Sequence, residues 1–271
     1  MIMIYSRLLI SRLYSGVERW NSVSTAGLSS SPADPAPSAA PSSPPSPPRA
    51  PPWQWAGTVT ARPPSRRYAQ TEGAGGRAVG VRMDQGDPES ISAAVADVER
   101  TLGGPHVLVA NAVAWPTSSE HSWTDLTAGL AANAAGPVAL VEAVLPAMRS
   151  AGWGRVVLVS TDIVDQPLAS AAAYPAAKGA LEAAARVFAV REARHGVLTN
   201  VVRPGFTLTE RALSTPGLGQ AVVDAEGEQT PTGRVCTPED VASAVTYLGS
   251  GANGHVNGEL LSVAGGRQLT R

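Results

Sequence analysis

The stretch GRVVLVSTDIVDQPLASAAAYPAAKGALEAAARVFAVREARHGVLTNVVRPG (residues 154–205) decides the fold. It opens on a continuous apolar run, Arg155–Ser160, with no alternation of polar and apolar positions. That is the pattern of a strand covered on both faces. An alanine-rich segment, Ser170–Arg194, predicts a helix, and Leu198–Val202 predicts a second strand. A strand, a helix and a strand in that order form a crossover unit whose two strands run parallel.

The alternation continues in both directions. Upstream, Ala78–Met83 predicts a strand and Pro88–Leu102 a helix, with Ile91, Ala94, Val95 and Val98 on its apolar face and Asp87-Pro88 at its start. His106–Ala110 predicts another strand, and Trp123–Ser150 a long helical region interrupted at Gly136-Pro137. Downstream, residues 204–234 form a long Gly, Pro and Thr-containing segment of the kind used as a lid or binding loop. Thr237 caps a helix over Pro238–Gly249, and Leu260–Val263 is the last strand. Repeated strand-helix units imply a parallel sheet with helices on both faces. Ligands of such sheets bind at the carboxyl ends of the strands. The polar residues that follow strands are Asp84, Asn111, Ser160/Thr161 and Pro204-Gly205, so they gather on one edge.

Composition narrows the function. The 271 residues carry a net charge of −1. Residues 1–80 hold eight arginines against Glu18, Asp34 and Glu72, so the rest of the chain is acidic and offers no basic field for nucleic acid. Cys236 is the only cysteine, and His106, His121, His195 and His255 show no ligand spacing, so no metal site is expected. No apolar run approaches the ~20 residues of a membrane span, so no membrane partner is expected. Residues 31–64 hold 12 of the 23 prolines, mixed with Ser and Ala, which predicts disorder. The expected division is a Pro/Ser/Arg-rich segment at 1–72 and one α/β domain at 73–271. Residues 1–20, apolar with arginines and free of acids until Glu18, are similar to an organelle transit peptide, but a spurious or mistranslated extension is the favoured reading.

Of 21 basic residues 20 are arginines; the one lysine, Lys178, lies four residues after Tyr174 in YPAAK. On a helix that spacing places phenol and ammonium on one face. A nearby cation favours phenolate and tunes a tyrosine for proton transfer. Around this pair stand Met83-Asp84, Ala110-Asn111-Ala112-Val113, Asn133 in LAANAAGPVAL, GRVVLVST (154–161), NVVRPGFTLT (200–209), PEDVA (238–242) and NGELLSVAGG (257–266). In order and spacing these motifs resemble the short-chain dehydrogenase/reductase family over residues 76–271, most of all its 3-oxoacyl-carrier-protein reductases.

The resemblance implies a Rossmann-like, three-layer, doubly wound parallel sheet. It implies an NADP- or NAD-dependent oxidoreductase that interconverts a ketone and a secondary alcohol. Tyr174 would donate or accept the proton, Lys178 would hold the cofactor ribose and lower the phenol pKa, and Asn133 would hold a water in a relay. A strand-end hydroxyl would orient the carbonyl. The family's spacing of 13 residues before the tyrosine lands on Thr161, with Ser160 as the alternative. Asp84, Asn111, Ala112, Pro204, Gly205, Thr207 and Thr209, with Tyr174 and Lys178, would line the cofactor. Asp84 has a second reading as a turn cap, and Asn111 as a bond between strands. Val113 and Ala110 depart from the family's NNAG. A small carbonyl or alcohol substrate, a homodimer or homotetramer through the two long helices, and a cytoplasmic location are implied as well. Phe206, Leu208, Leu213 and Leu218 in the lid point to a moderately apolar substrate.

One element is missing from the pattern. The family's glycine loop TGxxxGxG belongs around residues 30–50, where the chain reads SSPADPAPSAAPSSPPSPPRA. The N-terminal βαβα portion is therefore expected to be degenerate or missing. A reading-frame shift across residues 31–67 accounts for the Pro, Arg, Ser and Ala found there, and resequencing tests it. The competing functional reading is a catalytically impaired family member that acts only as an oligomer partner. A cofactor-independent lyase resembling halohydrin dehalogenases would carry arginine in place of Lys178.

Overall fold

The computed structural model describes residues 2–4, 54–58, 77–115, 122–167 and 172–270. Seven strands form one sheet: β1 (Ile2–Ile4), β2 (Gln54–Thr58), β3 (Arg77–Val81), β4 (Val107–Ala110), β5 (Gly154–Val159), β6 (Val197–Pro204) and β7 (Leu260–Val263). Their order is β3-β2-β1-β4-β5-β6-β7, and every pairing is parallel. The order reverses between β1 and β4, which is where a doubly wound sheet opens its ligand crevice.

Two of these strands lie inside residues 1–72, the stretch whose composition points to disorder. Ile2–Ile4 pairs with both Gln54–Thr58 and Val107–Ala110, so the first half of the sheet is reduced in length but keeps its three places. Both segments combine β-branched or aromatic residues and lie clear of the proline-dense stretch 31–52. The glycine-loop position at 30–50, the transit-like segment beyond residue 4 and the boundary at 72/73 fall outside the described residues.

The helices are α1 (Pro88–Leu102), α2 (Trp123–Leu130), α3 (Gly136–Ala151), α4 (Ala173–Glu192), α5 (Glu210–Ser214), α6 (Gln220–Glu228) and α7 (Pro238–Leu248). Helix α1 starts where the sequence places it: Asp87 accepts from Glu89 N–H and Pro88 occupies the first turn. Helix α7 begins with a reciprocal cap between Thr237 and Asp240. Residues 204–234, expected as a loop, carry α5 and α6. Thr209 is the cap that lets α5 form, accepting from Ala212 N–H at 3.0 Å.

Alternate strand residues feed two cores. Leu108, Val156, Leu158 and Val201 face α1, α3 and α4, and bury against Val95, Val98, Leu140, Val144, Leu145, Leu181 and Phe188. Val107, Val109, Val157 and Val202 face the other way, onto Val241, Val245 and Leu248 of α7. The helical region Trp123–Ala151 is long and apolar enough to cross a membrane by length and composition. The apolar runs themselves stay short, because Asp125, Asn133, Glu142 and Arg149 interrupt the Ala, Leu and Val between them. In the fold, Leu140, Val141, Val144, Leu145 and Met148 of this region are buried as core.

Its break is a π turn over Ala131–Ala135, just before Gly136-Pro137. Gly136 itself is required by packing. A Cβ there would lie 1.7 Å from the Gln85 carbonyl oxygen, so only glycine lets α3 approach the turn after β3 this closely.

Candidate active site

Tyr174 and Lys178 project from the first turns of α4 into the space beyond β5, and both are buried. Lys178 Nζ donates to the Val159 carbonyl at 2.8 Å and lies 5.9 Å from the centre of the Tyr174 ring. Burial lowers the Lys178 pKa to about 8, while the Glu182 carboxylate opposes that fall. Burial raises the Tyr174 phenol well above its usual value, and the Asp162 carboxylate raises it further. The cation that opposes this rise is Arg211, not Lys178, the residue to which the sequence gives that part.

The two candidate hydroxyls part at the end of β5. Ser160 Oγ donates to Glu182 Oε1 at 2.6 Å and joins a buried cluster. In that cluster Arg203 Nε donates to Glu182 Oε1 at 2.7 Å, and the Arg203 guanidinium also bonds Glu182 Oε2 and Asp165. Thr161 is buried too, and its hydroxyl accepts from Ile163 N–H at 3.4 Å, a long bond at the start of a short 3-10 turn (Asp162–Val164). Ser160 is thus committed to the structure, and Thr161 keeps more of its hydrogen-bonding capacity.

Asn133 sits in the π turn. Its Oδ1 accepts from Ala114 N–H at 2.9 Å and its Nδ2 donates to Ala114 O at 2.8 Å. The amide therefore pins the segment after β4. Gln85 Nε2 adds a second tie, donating to Ala132 O at 2.6 Å, so the turn after β3 is fixed to the same π turn. Asn111 and Ala112 follow β4 half-buried, and no hydrogen bond among the described residues engages the Asn111 side chain. Asp84 is exposed after β3. One of its carboxylate oxygens accepts from Gly86 N–H at 2.8 Å, which caps the turn and leaves the other oxygen for a ligand.

After β6, Gly205 N–H donates to Val263 O at 3.0 Å, and a Cβ on Gly205 would lie 2.8 Å from that of Ala264. Thr207 donates to Gly205 O at 2.8 Å, and Thr209 caps α5. Helix α5 carries Arg211, whose guanidinium carbon stands 4.5 Å over the Trp115 ring. Trp115 in turn stacks on Tyr174 at 5.0 Å between ring centres, tilted by 34°. The sequence reading missed Trp115, Arg211, Glu182 and Arg203. A lone tryptophan among the small residues of NAVAWP was the one signal for this stack.

The nicotinamide half of an NAD(P) site fits these residues. An ammonium has three donors, and the buried Lys178 spends one on Val159, which leaves two for vicinal hydroxyls such as those of a ribose. The uncommitted Asn111 amide adds polar capacity on the same sheet edge. Among groups that could hold a metal ion, no set of three His, Cys, Asp or Glu comes together among the described residues.

Comparison with known proteins identifies the family. A family model described as Enoyl-(Acyl carrier protein) reductase matches residues 56–268. The chain is 30% identical over 218 residues to 3-oxoacyl-(acyl-carrier-protein) reductase FabG of Vibrio cholerae, covering 79% of this chain and 86% of that protein. It is 34% identical over 197 residues to cis-4-hydroxycyclohexanecarboxylate dehydrogenase of Sinomonas cyclohexanicum, covering 71% and 78%. A crystal structure of a gluconate 5-dehydrogenase from Burkholderia cenocepacia in complex with NADP and tartrate superposes with a TM-score of 0.70 at 25% identity, over 79% of this chain and 86% of that one.

Proposed function

Because the chain belongs to the short-chain dehydrogenase/reductase family and is an NAD(P)-dependent oxidoreductase, we propose that it interconverts a ketone and a secondary alcohol with Tyr174 as the proton donor and acceptor. The observation that carries the reading is a buried phenol one helical turn from a buried ammonium at the carboxyl edge of the sheet. Burial raises the Tyr174 phenol pKa above its usual value and keeps the group protonated, the state in which it can donate to a carbonyl oxygen.

The hydride for the carbonyl carbon would come from bound NAD(P)H. Lys178, Asn111 and Ala112 would hold its nicotinamide ribose, Pro204, Gly205, Thr207 and Thr209 its carboxamide side, and Asp84 its adenine. As the carbonyl carbon accepts the hydride, the oxygen takes the Tyr174 proton and the phenol becomes phenolate. The positive charge of Arg211 offsets that new negative charge. Lys178, with a pKa of about 8, can return a proton near neutral pH. The Thr161 hydroxyl orients the carbonyl. Asn133 acts through Ala114, by holding the segment after β4 in place.

Support for a hydroxylated or ketonic small substrate comes from the similar proteins, which include a hydroxycyclohexanecarboxylate dehydrogenase, a gluconate dehydrogenase and a 3-oxoacyl reductase. Exposed Val187 and Val190 on α4 favour association of chains through that helix, as a homodimer or homotetramer.

The test is a titration of the purified protein with NADPH and with NADH, followed by cofactor absorbance in the presence of ketones. Micromolar binding with ketone-dependent oxidation of the cofactor upholds the reading. Failure to bind either cofactor, with oligomers intact, would transfer the case to a catalytically impaired oligomer partner.

A further inference from the structure

We propose that Arg211 and Trp115 form an anion-reading clamp over Tyr174, and that the substrate carries an oxyanion, a carboxylate in the simplest case, near its reacting carbonyl. This deepens the reading of Tyr174 as proton donor and rests on it.

The argument starts from the stack. Trp115 is 44% exposed, so burial in the core does not hold it in place. It lies between the Tyr174 ring and the Arg211 guanidinium, 5.0 Å from the one ring centre and with the guanidinium carbon 4.5 Å from its own. The indole therefore fixes the cation at the entrance, one aromatic layer away from the phenol.

A guanidinium lying over a ring uses its face for the contact and keeps its N–H donors at the rim. Those donors form the planar fork that a carboxylate fits with two parallel bonds. Among the described arginines, Arg100, Arg149, Arg191, Arg203, Arg234 and Arg267 each hold a carboxylate, while Arg82 and Arg186, like Arg211, hold none; of these three only Arg211 lies over an aromatic ring. Arg211 holds none among the described residues, and no side-chain hydrogen bond engages it. It is a positioned cation with an open fork.

The charges around the phenol give the clamp a direction. Asp162 and Arg211 act on Tyr174 with opposite sign, so both fields reach the phenol oxygen. A substrate oxyanion is drawn to Arg211 and repelled by Asp162, and this sets which end of the molecule faces the lid. Ala212, buried beside Arg211, and the Thr209 cap keep α5 in place beneath this contact.

The experiment compares acetoacetate and levulinate, each beside its methyl ester, in the full-length protein and in Arg211→Gln. The wild type should show kcat/KM about tenfold higher for at least one acid than for its ester. Arg211→Gln should erase that preference through KM for the acid, lower kcat for acid and ester alike as the phenolate loses its cation, and leave the cofactor KM within about twofold. Equal use of acid and ester by the wild type overturns the proposal. So does an Arg211→Gln effect on cofactor KM instead of acid KM, since the fork would then face a cofactor phosphate.

A binding arm separates this inference from the reading beneath it. Levulinate is titrated against tryptophan fluorescence without cofactor. Quenching that Arg211→Gln or Trp115→Phe abolishes upholds the clamp even if no ketone is turned over, in which case only the Tyr174 reading fails. Absence of quenching, or quenching unchanged in both variants, overturns the clamp.

Discussion

The two ends of the central strands both carry buried ions, and they use them differently. At the amino end Glu192 is fully buried, and Arg149 grips it with two hydrogen bonds of 2.7 Å. Arg191 adds a bond to Glu192 and two to Glu142. Arg155, at the start of β5, gives its donors to the carbonyls of Asn253, Gly154 and Gly196. At the carboxyl end, among the described residues, Lys178 has a single acceptor, Asn111 keeps its amide uncommitted and Arg211 holds no carboxylate. The same residue types serve stability where their bonding is complete and chemistry where it is not. Between them lies the Ser160–Glu182–Arg203–Asp165 cluster, which is fully engaged yet touches the site through Ser160 and through the charge that Glu182 presents to Lys178.

Four substitutions or conditions break this contrast, in falling order of effect. Tyr174→Phe should cut kcat by about a hundredfold to ten-thousandfold and leave thermal unfolding nearly unchanged. Equal losses in both would mean that the phenol is structural. Glu192→Gln should do the opposite, costing about 3–5 kcal/mol in denaturant unfolding while kcat of the folded fraction holds. A loss of kcat there would erase the division between the two ends.

Glu182→Gln tests the intermediate cluster. Stability should fall by about 2 kcal/mol as Arg203 loses its charged partner, and the Lys178 pKa should fall as an opposing carboxylate disappears. The pH profile reports that second change. Burial lowers the Lys178 pKa to about 8, so the ammonium is present below that pH and lost above it, and kcat/KM should decline on the alkaline side of about 8. In Glu182→Gln the decline should begin at lower pH. Stability runs the other way: the unfolded lysine still binds its proton between about 8 and its ordinary value, so unfolding free energy should rise across that interval. A flat profile would remove Lys178 from proton transfer.

Much of the frame was legible because local chemistry marks it. Pro88–Leu102 has its Asp-Pro start and its glycine stop in the sequence, and Leu260–Val263 is a mostly apolar run between Glu259 and the Gly265-Gly266 pair. The helices in 204–234 were hidden because five- and nine-residue helices leave too little periodicity among glycines and prolines. The strand at Ile2–Ile4 was hidden for a different reason. Its partners lie more than fifty residues away, and three residues show no pattern of their own. Within the site, Tyr174, Lys178 and Thr161 are local motifs, whereas the Trp115–Arg211 contact joins the segment after β4 to helix α5, which only the sheet edge brings together.

The π turn at Ala131–Ala135 works as a phase shifter. One extra residue in a turn rotates everything before it by about 100° relative to everything after it. Helix α2 and helix α3 therefore present apolar stripes that belong to two different clocks, and Asn133 is the residue at which they are reset. Removing a single alanine from AANAA would keep the composition and swing Trp123–Leu130 onto a new heading. The segment that pins Ala114, and with it the approach to Trp115, is set by a count of residues rather than by their kind.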